Sequence, residues 1–515
     1  MTQDIKNNRL WKGAFLLTIA SLFGKVLSAF YRIPLQNLTG DMGFYVYQQI
    51  YPLIGMIFMF GLYGLPSAIS MFMASHPKIA YSKLFFKQLF VILLVFCLFL
   101  FGLLYMSSPV LATWMGDGQL QRSLQYAAWL VLLIPVVTLF RGGLQGHEMM
   151  SPTAISQMIE QLIRTLIIIT TAYLIFRYQL GVYQIADGAV TAAIVALVAS
   201  SFYLYRAFSK HITLDQHSSG VDYWSLVKGV VFYGIIVSVN HMLLLFLQLA
   251  DAFSIVPALK DIGYESFHAK EAKGVLDRGQ PLLQLVTVVG SSVALALIPH
   301  MTKMSWQVNP KASLAKMRTA IRIGTYLSVG AAMGLLFLFP EINVMFFKNE
   351  AGTLSLRLLS LVVLFSAVTV IITSLLQMFG YIKITAVVFV VGFSVKWLLN
   401  EWLVSVFAIS GAAVATVLTV GFLFLCTYYF LYRAVGKQHL FNIHWPSFLL
   451  ACSGLLLSLI VFEQAFRFVA VYETRSLLFG YVLLQVLAGL FVYMFILWKT
   501  SGFTDEEKEI LKKRK

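Results

Sequence analysis

Basic side chains stand deep inside apolar stretches of this sequence, where charge is costly. The stretch from Leu10 to Arg32 is long enough to cross a bilayer as a helix, and Lys25 lies about 22 Å along it at a rise of ~1.5 Å per residue. Arg32 follows after close to two helical turns, so the two cations are predicted to share one face. A charge at the bilayer centre costs at least ~2.5–3.5 kcal/mol, so Lys25 is predicted to face a cavity and bind an anionic group. Arg32, near the outer end of the span, is either a second substrate contact or an anchor at the membrane interface.

Two further spans carry charges with different predicted surroundings. Glu160 and Arg164 are four residues apart, a spacing that favours an ion pair within one helix. Alternatively, the Arg164 side chain faces a cavity, and Glu160 either holds that side chain by an ion pair or releases it. Lys396 has no acid one turn before it and has Asn400 one turn after it, which predicts a deep, unpaired lysine.

The other candidates have mixed positions. Arg141 is predicted to line the cytoplasmic mouth of a cavity or to reach toward the headgroups, and Arg278 to contact an outer gate or anchor at the interface. Asp251 stands near an outer end, where we expect it to be solvated. His241 lies deep and titrates near neutral pH, so it is either a packed core histidine or a proton carrier. The candidates for coupling to protons or ions are His241, Glu160, Asp251 and Asn400.

Composition sets the fold class. The chain has 515 residues, of which 59% are hydrophobic and 12% charged, and its mean hydropathy is +0.82. Apolar runs long enough to span ~30 Å of hydrocarbon recur throughout, which predicts an all-α polytopic membrane protein. Because the runs are continuously apolar and do not alternate, they exclude a transmembrane β-barrel. Three scattered cysteines indicate neither a disulfide framework nor a metal site.

The net charge of +16 is explained by topology and not by nucleic-acid binding. Lys and Arg collect on cytoplasmic loops, and their distribution predicts that both termini are cytoplasmic. The expected location is the bacterial cytoplasmic membrane. Fourteen spans are predicted, at residues 10–32, 44–74, 84–107, 124–148, 152–176, 182–206, 225–252, 280–304, 319–346, 352–380, 382–404, 408–433, 446–466 and 474–499. The longest loops are then 207–224 and 253–279, the second of which is charged and could include a surface helix.

An internal repeat relates the first six spans to the next six. Residues 10–32 align without gaps on 226–248, which places His241 opposite Lys25 and Gln248 opposite Arg32. Residues 145–164 align on 377–396, with Arg164 opposite Lys396, and GAVTAAIVALV resembles GAAVATVLTV. The two copies begin with the same sidedness, which predicts two six-helix lobes related by a pseudo-twofold axis along the membrane normal. The predicted divisions are an N-terminal lobe (1–206), a cytoplasmic linker (207–224), a C-terminal lobe (225–433), two extra helices (434–499) and a cytoplasmic tail (500–515).

Local strings strengthen this pattern. LFRGGLQGHEMMSPTAISQMIEQLIR (139–164), GLYGLPSAIS (61–70) and DRGQPLLQLVTVVGSSVALALIPHMTK (277–303) resemble the multidrug/oligosaccharidyl-lipid/polysaccharide (MOP) exporter superfamily. Within it the sequence is similar to the polysaccharide biosynthesis and stage V sporulation protein B branch, which is related to the MurJ-type lipid II flippases. The resemblance covers most of the chain. It implies alternating access by two lobes that carry an undecaprenyl-pyrophosphate-linked sugar to the outer leaflet.

The resemblance also implies roles for particular residues. Lys25 occupies the position of an arginine in the cationic cavity of MurJ-type flippases, and Arg32 lies within one residue of a second. The basic residue those flippases carry in their second span is absent, with Gly55 near its place, which disfavours lipid II itself as the cargo. Some relatives bind sodium among spans seven, eleven and twelve, where the ammonium of Lys396 could stand in for the ion.

The predicted function is therefore a flippase for a lipid-linked oligosaccharide or peptidoglycan precursor, whose headgroup is held in a cationic central cavity. No cofactor is predicted, and transport could be coupled to the membrane potential, H⁺ or Na⁺. The expected partners are the lipid-linked glycan and membrane lipids, with the protein acting as a monomer or beside glycan-synthesis enzymes. A drug/cation antiporter of the same superfamily is the alternative; an enzyme is disfavoured because the loops lack clustered catalytic groups. The candidate substrate-binding residues are Lys25, Arg32, Arg164, Lys396, Arg141 and Arg278.

Overall fold

The computed structural model describes residues 2–215, 220–295, 303–466 and 474–504. Most of the described residues are helical and none of them forms a strand, which confirms the predicted all-α class. Residues 296–302 of the predicted eighth span and 505–515 of the predicted tail lie outside the described ranges.

Nineteen α-helices follow one another in the described ranges. Their bounds are α1 Thr2–Met59, α2 Leu65–Ser75, α3 Lys83–Trp114, α4 Gln121–Ala128, α5 Ile134–Gly146, α6 Met150–Tyr178, α7 Gln184–His211, α8 Tyr223–Leu226, α9 Tyr233–Asn240, α10 Leu243–Asp261, α11 Ser266–Asp277, α12 Gly279–Leu295, α13 Lys303–Val308, α14 Pro310–Phe347, α15 Thr353–Ser360, α16 Val362–Met378, α17 Ile382–Ala434, α18 Trp445–Phe466 and α19 Arg475–Lys499.

Twelve helical segments of the described residues are long and apolar enough to cross a membrane. Two of them, Leu22–Ser75 and Ile382–Ala434, each hold two predicted spans, whereas Tyr223–Asn240 and Leu243–Asp261 are the two parts of the seventh. Helix α12 supplies the described part of the eighth. The helices therefore agree with about fourteen crossings.

Two long helices are divided by single kinked residues. Helix α1 has 58 residues, about 87 Å at ~1.5 Å each, which is far longer than one crossing of ~30 Å. Gly40 interrupts it with φ 69° and ψ −176°, between the first and second predicted spans. In α17 the interruption is Ala408, with φ 49° and ψ −136°, at the predicted start of the twelfth span. Glycine adopts such a φ at little cost, whereas an alanine is strained there.

Proline explains an irregular turn in the second span. Residues Phe60–Gly64 form a π-helical turn directly before Pro66. Because proline has no N–H, it cannot donate to the carbonyl four residues earlier, and the backbone lengthens its hydrogen-bond step instead. The backbone N–H of Leu65 accordingly donates to the carbonyl of Phe60. A second π-helical turn occupies Val227–Phe232 in the seventh span.

The loop predicted at 253–279 is largely helical and buried. Helix α10 continues to Asp261, and α11 follows after a short turn. The predicted surface helix is therefore wrong for the end of α11, because Lys273 and Asp277 are almost fully buried. A Cβ atom added to Gly274 would lie 2.2 Å from the carbonyl oxygen of Asp41, so α11 packs directly on the α1 kink.

The chain forms two compact units, one of Met1–Asp277 with Phe389–Ser405 and the other of Arg278–Val388 with Val406–Lys515. In the second unit an apolar cluster joins α14, α18 and α19. There Tyr493 donates to the backbone oxygen of Tyr326, and Arg475 donates to that of Met345 at 2.7 Å. In the first unit, spans two and seven meet at glycines. A Cβ on Gly64 would lie 2.4 Å from the oxygen of Gly234 and closer still to Ser238 Oγ.

Replacing Gly64 by alanine should destabilise the first unit, because overpacking a tight contact costs about 1–3 kcal/mol. Thermal unfolding of the detergent-solubilised protein, followed by intrinsic fluorescence, measures the effect. Gly102→Ala in α3 is the matched control, since nothing lies within 4 Å of its added Cβ. A Gly64→Ala variant that melts with the Gly102→Ala variant would contradict the close contact.

Candidate functional site

The two cations of the first span occupy different surroundings. The side chain of Lys25 is exposed, and it has no ion pair with any described residue. Arg32 is completely buried, with 0% exposure. The predicted basic face is therefore half open and half covered in this structure.

Arg32 lies in a cage of tyrosines. Its guanidinium carbon is 4.1 Å from the ring centre of Tyr51, and the hydroxyls of Tyr31 and Tyr47 are hydrogen-bonded to each other beside it. None of its three nitrogens has a hydrogen-bond partner among the described residues. The cation–π contact offsets part of the burial cost, but five N–H donors remain unused.

Glu160 pairs with Arg141, so the predicted pair of Glu160 with Arg164 is wrong. The Arg141 guanidinium lies 2.5 Å from a Glu160 oxygen, and both side chains are buried. Ser156 accepts from Arg141 at 2.9 Å, and Ser200 donates to Glu160 at 2.7 Å. Arg141 thus neither lines an open mouth nor reaches toward headgroups; it joins three helices of the first unit.

A backbone carbonyl explains why an arginine stands at position 141. Arg141 also donates to the oxygen of Gly61 at 3.2 Å. In the π-helical turn this oxygen would need the N–H of Pro66, which does not exist. Buried carbonyls are nearly always hydrogen-bonded, and here a side chain supplies the donor.

Arg164 is only partly buried and bends back on its own helix. It donates to Gln161 Oε1 at 2.5 Å, and its guanidinium carbon lies 4.8 Å from the ring centre of Phe58. Its Nε has no partner among the described residues. Arg164 therefore keeps donors free for another group.

Lys396 is paired by an acid on another helix, contrary to the prediction of an unpaired lysine. Its ammonium is 2.8 Å from Asp251 and 2.6 Å from Asn400 Oδ1, and the Asn400 amide donates to Asp251 and to Ser254. Asp251 is only 3% exposed, so the expectation that it is solvated is also wrong. Asn400 lies one turn away on α17, whereas Asp251 comes from α10, which no spacing within one helix could indicate.

Sequence reasoning missed a second buried pair in α11. Lys273 Nζ lies 2.6 Å from Asp277 Oδ2, one helical turn apart. Burial raises the pKa of Asp277 to about 6, with Lys273 opposing this rise and the charge of Asp251 adding to it. The positive charge of Arg32 also acts on Asp277. The available signal was the i, i+4 Lys–Asp spacing.

These buried groups form one electrostatic cluster in the first unit. The cations Arg32, Lys273 and Lys396 outnumber the anions Asp251 and Asp277 by one. The excess belongs to Arg32, which has no hydrogen-bond partner among the described residues.

The candidates His241 and Arg278 have distinct surroundings. His241 interrupts the seventh span between α9 and α10, is exposed, and stacks on Tyr63 with ring centres 4.8 Å apart. Arg278, in the second unit, is completely buried and donates to Asn343 at 3.2 Å and Asn349 at 2.6 Å. This burial corrects its predicted role as an interfacial anchor. No group of three or more His, Cys, Asp or Glu that could hold a metal occurs among the described residues.

About fourteen apolar helical crossings define a multi-pass membrane protein. Residues 10–305 match the model of the polysaccharide biosynthesis protein family, and the chain belongs to this family, within the MOP superfamily. The resemblance noted in the sequence is thereby confirmed.

Relatives in Bacillus subtilis (strain 168) support this assignment. The chain is 33% identical to the uncharacterized membrane protein YabM over 98% of this chain and 95% of YabM. It is 24% identical to the lipid II flippase MurJ over 80% of each chain. It is 23% identical to stage V sporulation protein B over 66% of this chain and 67% of that protein.

A solved structure shares the fold. The structure of the lipid II flippase MurJ in an inward closed conformation matches with a TM-score of 0.67 at 14% identity, over 94% of this chain and 98% of that chain.

Substituting Glu160 by glutamine should destabilise the protein by about 3–5 kcal/mol, because Arg141 is left buried without its counterion. The double variant Arg141→Met/Glu160→Gln should recover part of this loss. Melting temperatures in detergent measure both effects, and Glu401→Gln, at an exposed carboxylate, is the control. Equal melting of Glu160→Gln and Glu401→Gln would refute a stabilising pair.

The pH dependence of stability should report on Asp277. Its pKa is raised from 3.8 to about 6, so the folded state holds the proton more tightly, and the resulting stabilisation is complete below about pH 3.8 and lost as pH rises through about 6. Between pH 7.5 and pH 4, protonation of Asp277 should therefore raise the free energy of unfolding of the wild-type protein by up to about 3 kcal/mol, at 1.36 kcal/mol per pKa unit. Asp277→Asn should lack that part of the slope, as melting curves across this range will show. If the two slopes coincide, Asp277 does not titrate as described.

Proposed function

We propose that this protein is a flippase that moves a lipid-linked glycan precursor, carried on undecaprenyl pyrophosphate, across the cytoplasmic membrane by alternating access. The observation that carries the proposal is the pair of cations on the first span. Lys25 is accessible without an ion pair, and Arg32 is buried without a hydrogen-bond partner, among the described residues. An anionic headgroup would supply the missing counter-charge.

The chemistry of the substrate class fits these residues. A pyrophosphate carries more than one negative charge and would pass bare hydrocarbon only at a prohibitive cost. Lysine and arginine neutralise it, and arginine adds paired hydrogen bonds. The attached sugar needs polar lining and water, while the polyprenyl chain stays in lipid between helices. Translocation then requires two arrangements of the helices and no covalent step, so the protein acts as a transporter and not as an enzyme.

The names of the relatives support the same class. Lipid II flippase MurJ and stage V sporulation protein B are similar to this chain over most or two thirds of its length. These names do not make lipid II the cargo of this protein. Its second span has Gly55, packed against Leu245, near the place where lipid II flippases are expected to have a basic residue, which disfavours lipid II.

Energy coupling is proposed to come from the membrane potential or from protons. One charge moved through 100 mV is worth about 2.3 kcal/mol, enough to return an unloaded cationic site inward in a cell whose interior is negative. The ammonium of Lys396 already takes the oxygens of Asp251 and Asn400 that a sodium ion would need. This occupancy supports coupling without Na⁺ at that place, and no cofactor is proposed.

The alternative, a drug/cation antiporter, needs free acidic groups in its cavity. The buried acids Glu160, Asp251 and Asp277 each contact a cation instead. Efflux of a cationic dye that depends on Glu160 would favour the antiporter. We further propose that both termini are cytoplasmic in a bacterial cell, and that the protein acts as a monomer or beside glycan-synthesis enzymes.

Replacing Lys25 by alanine should reduce transport at least about tenfold while leaving membrane insertion intact, because the accessible cation no longer neutralises the headgroup. The measurement is the leaflet distribution of undecaprenyl-linked sugars in cells that lack other flippases of this class. Cells without the protein should accumulate these sugars on the inner leaflet.

The matched control is Lys87→Ala, at an exposed lysine near the start of α3. It should restore outer-leaflet delivery as well as the wild-type protein does. Full delivery by the Lys25→Ala protein would remove the central support for a cationic site. Loss of folded Lys25→Ala protein from the membrane would instead assign Lys25 a structural role.

A further inference from the structure

Irregular turns in two membrane spans meet at one place in the first unit. The second span contains the π-helical turn Phe60–Gly64, which includes Tyr63. The seventh span breaks between α9 and α10, where His241 and Met242 form tight turns instead of α-helical bonds. The rings of Tyr63 and His241 stack across this junction, with centres 4.8 Å apart and planes inclined by 24°.

Backbone packing fixes the position of this ring pair. Gly64, next to Tyr63, meets Gly234 and Ser238 so closely that no Cβ fits. Gly55 likewise packs against Leu245 on the other side of the break. The two helices are therefore held together on both sides of the rings. This packing places the backbones of Tyr63 and His241 close together, where their rings stack.

Both rings are accessible at least in part. His241 is exposed and Tyr63 is partly exposed. Lys25 is close enough for its charge to act on His241, and it is accessible as well. The aromatic pair therefore lies near a cation that has no ion pair with any described residue.

We propose that Tyr63 and His241 form a platform for the first sugar of the lipid-linked glycan, whose pyrophosphate lies on Lys25. This inference rests on the proposed flippase function and adds the group that recognises the sugar. A pyranose has an apolar face of C–H groups that packs on aromatic rings, and its hydroxyls hydrogen-bond to polar groups at the edge. A sugar attached directly to a phosphate needs these two features side by side.

The test uses the full-length purified protein in lipid nanodiscs and two probes. One probe is undecaprenyl pyrophosphate, and the other is the same lipid carrying a single N-acetylhexosamine. The wild-type protein should bind the glycosylated lipid about tenfold more tightly than the bare one. Tyr63→Leu should lose this preference and keep its affinity for the bare lipid within about twofold. Tyr173→Leu, at an exposed tyrosine of α6, should behave as the wild type.

His241→Gln removes the other ring and covers the case in which Tyr63→Leu fails to fold. Either folded variant that retains the full sugar preference would overturn the platform. An equal loss of affinity for both lipids would also overturn it, because the rings would then serve the pyrophosphate or the fold. If the wild-type protein binds neither lipid, the flippase function itself is rejected. If the wild-type protein binds both lipids equally well, only the platform is rejected.

Discussion

The cost of a bare charge in an apolar bundle determines how the first unit is assembled. Arg141 meets Glu160, Lys396 meets Asp251, and Lys273 meets Asp277, each at 2.5–2.8 Å and each well buried. Removing one member of such a pair is far more costly than never having had the pair. The first two pairs each join two different helices, whereas the third lies within α11. Lys25 and Arg32, by contrast, have no ion pair with any described residue.

The irregular turn in the second span also follows from the need to hydrogen-bond buried polar groups. Pro66 has no N–H to donate, and a π-helical turn forms before it. The Gly61 carbonyl of this turn accepts a hydrogen bond from Arg141 instead. The same π-helical turn contributes to the candidate site, because it includes Tyr63, whose ring stacks on His241. A structural arginine and a proposed sugar-binding ring thus depend on a single proline.

Several predictions from residue spacing failed for one reason. The i, i+4 rule paired Glu160 with Arg164, but Glu160 contacts Arg141, and Arg164 bonds to Gln161. Lys396 was predicted to be unpaired because its own helix offers no acid, yet Asp251 on α10 reaches it. Helical spacing describes neighbours on one helix, whereas a deep charge takes whichever counterion the packing of other helices brings near. The Lys273–Asp277 pair, which does obey the rule, was overlooked because a charged loop was expected there.

Hydropathy is a local property, and it sufficed to predict the all-helical class and the number of spans to a close approximation, while local sequence strings indicated the family of the chain. The counterion of each buried charge, the covering of Arg32 by tyrosines and the stacking of Tyr63 on His241 were decided only by tertiary structure. Each of these depends on distances between helices that are remote in sequence, and apolar spans of similar composition do not encode their neighbours in any local pattern.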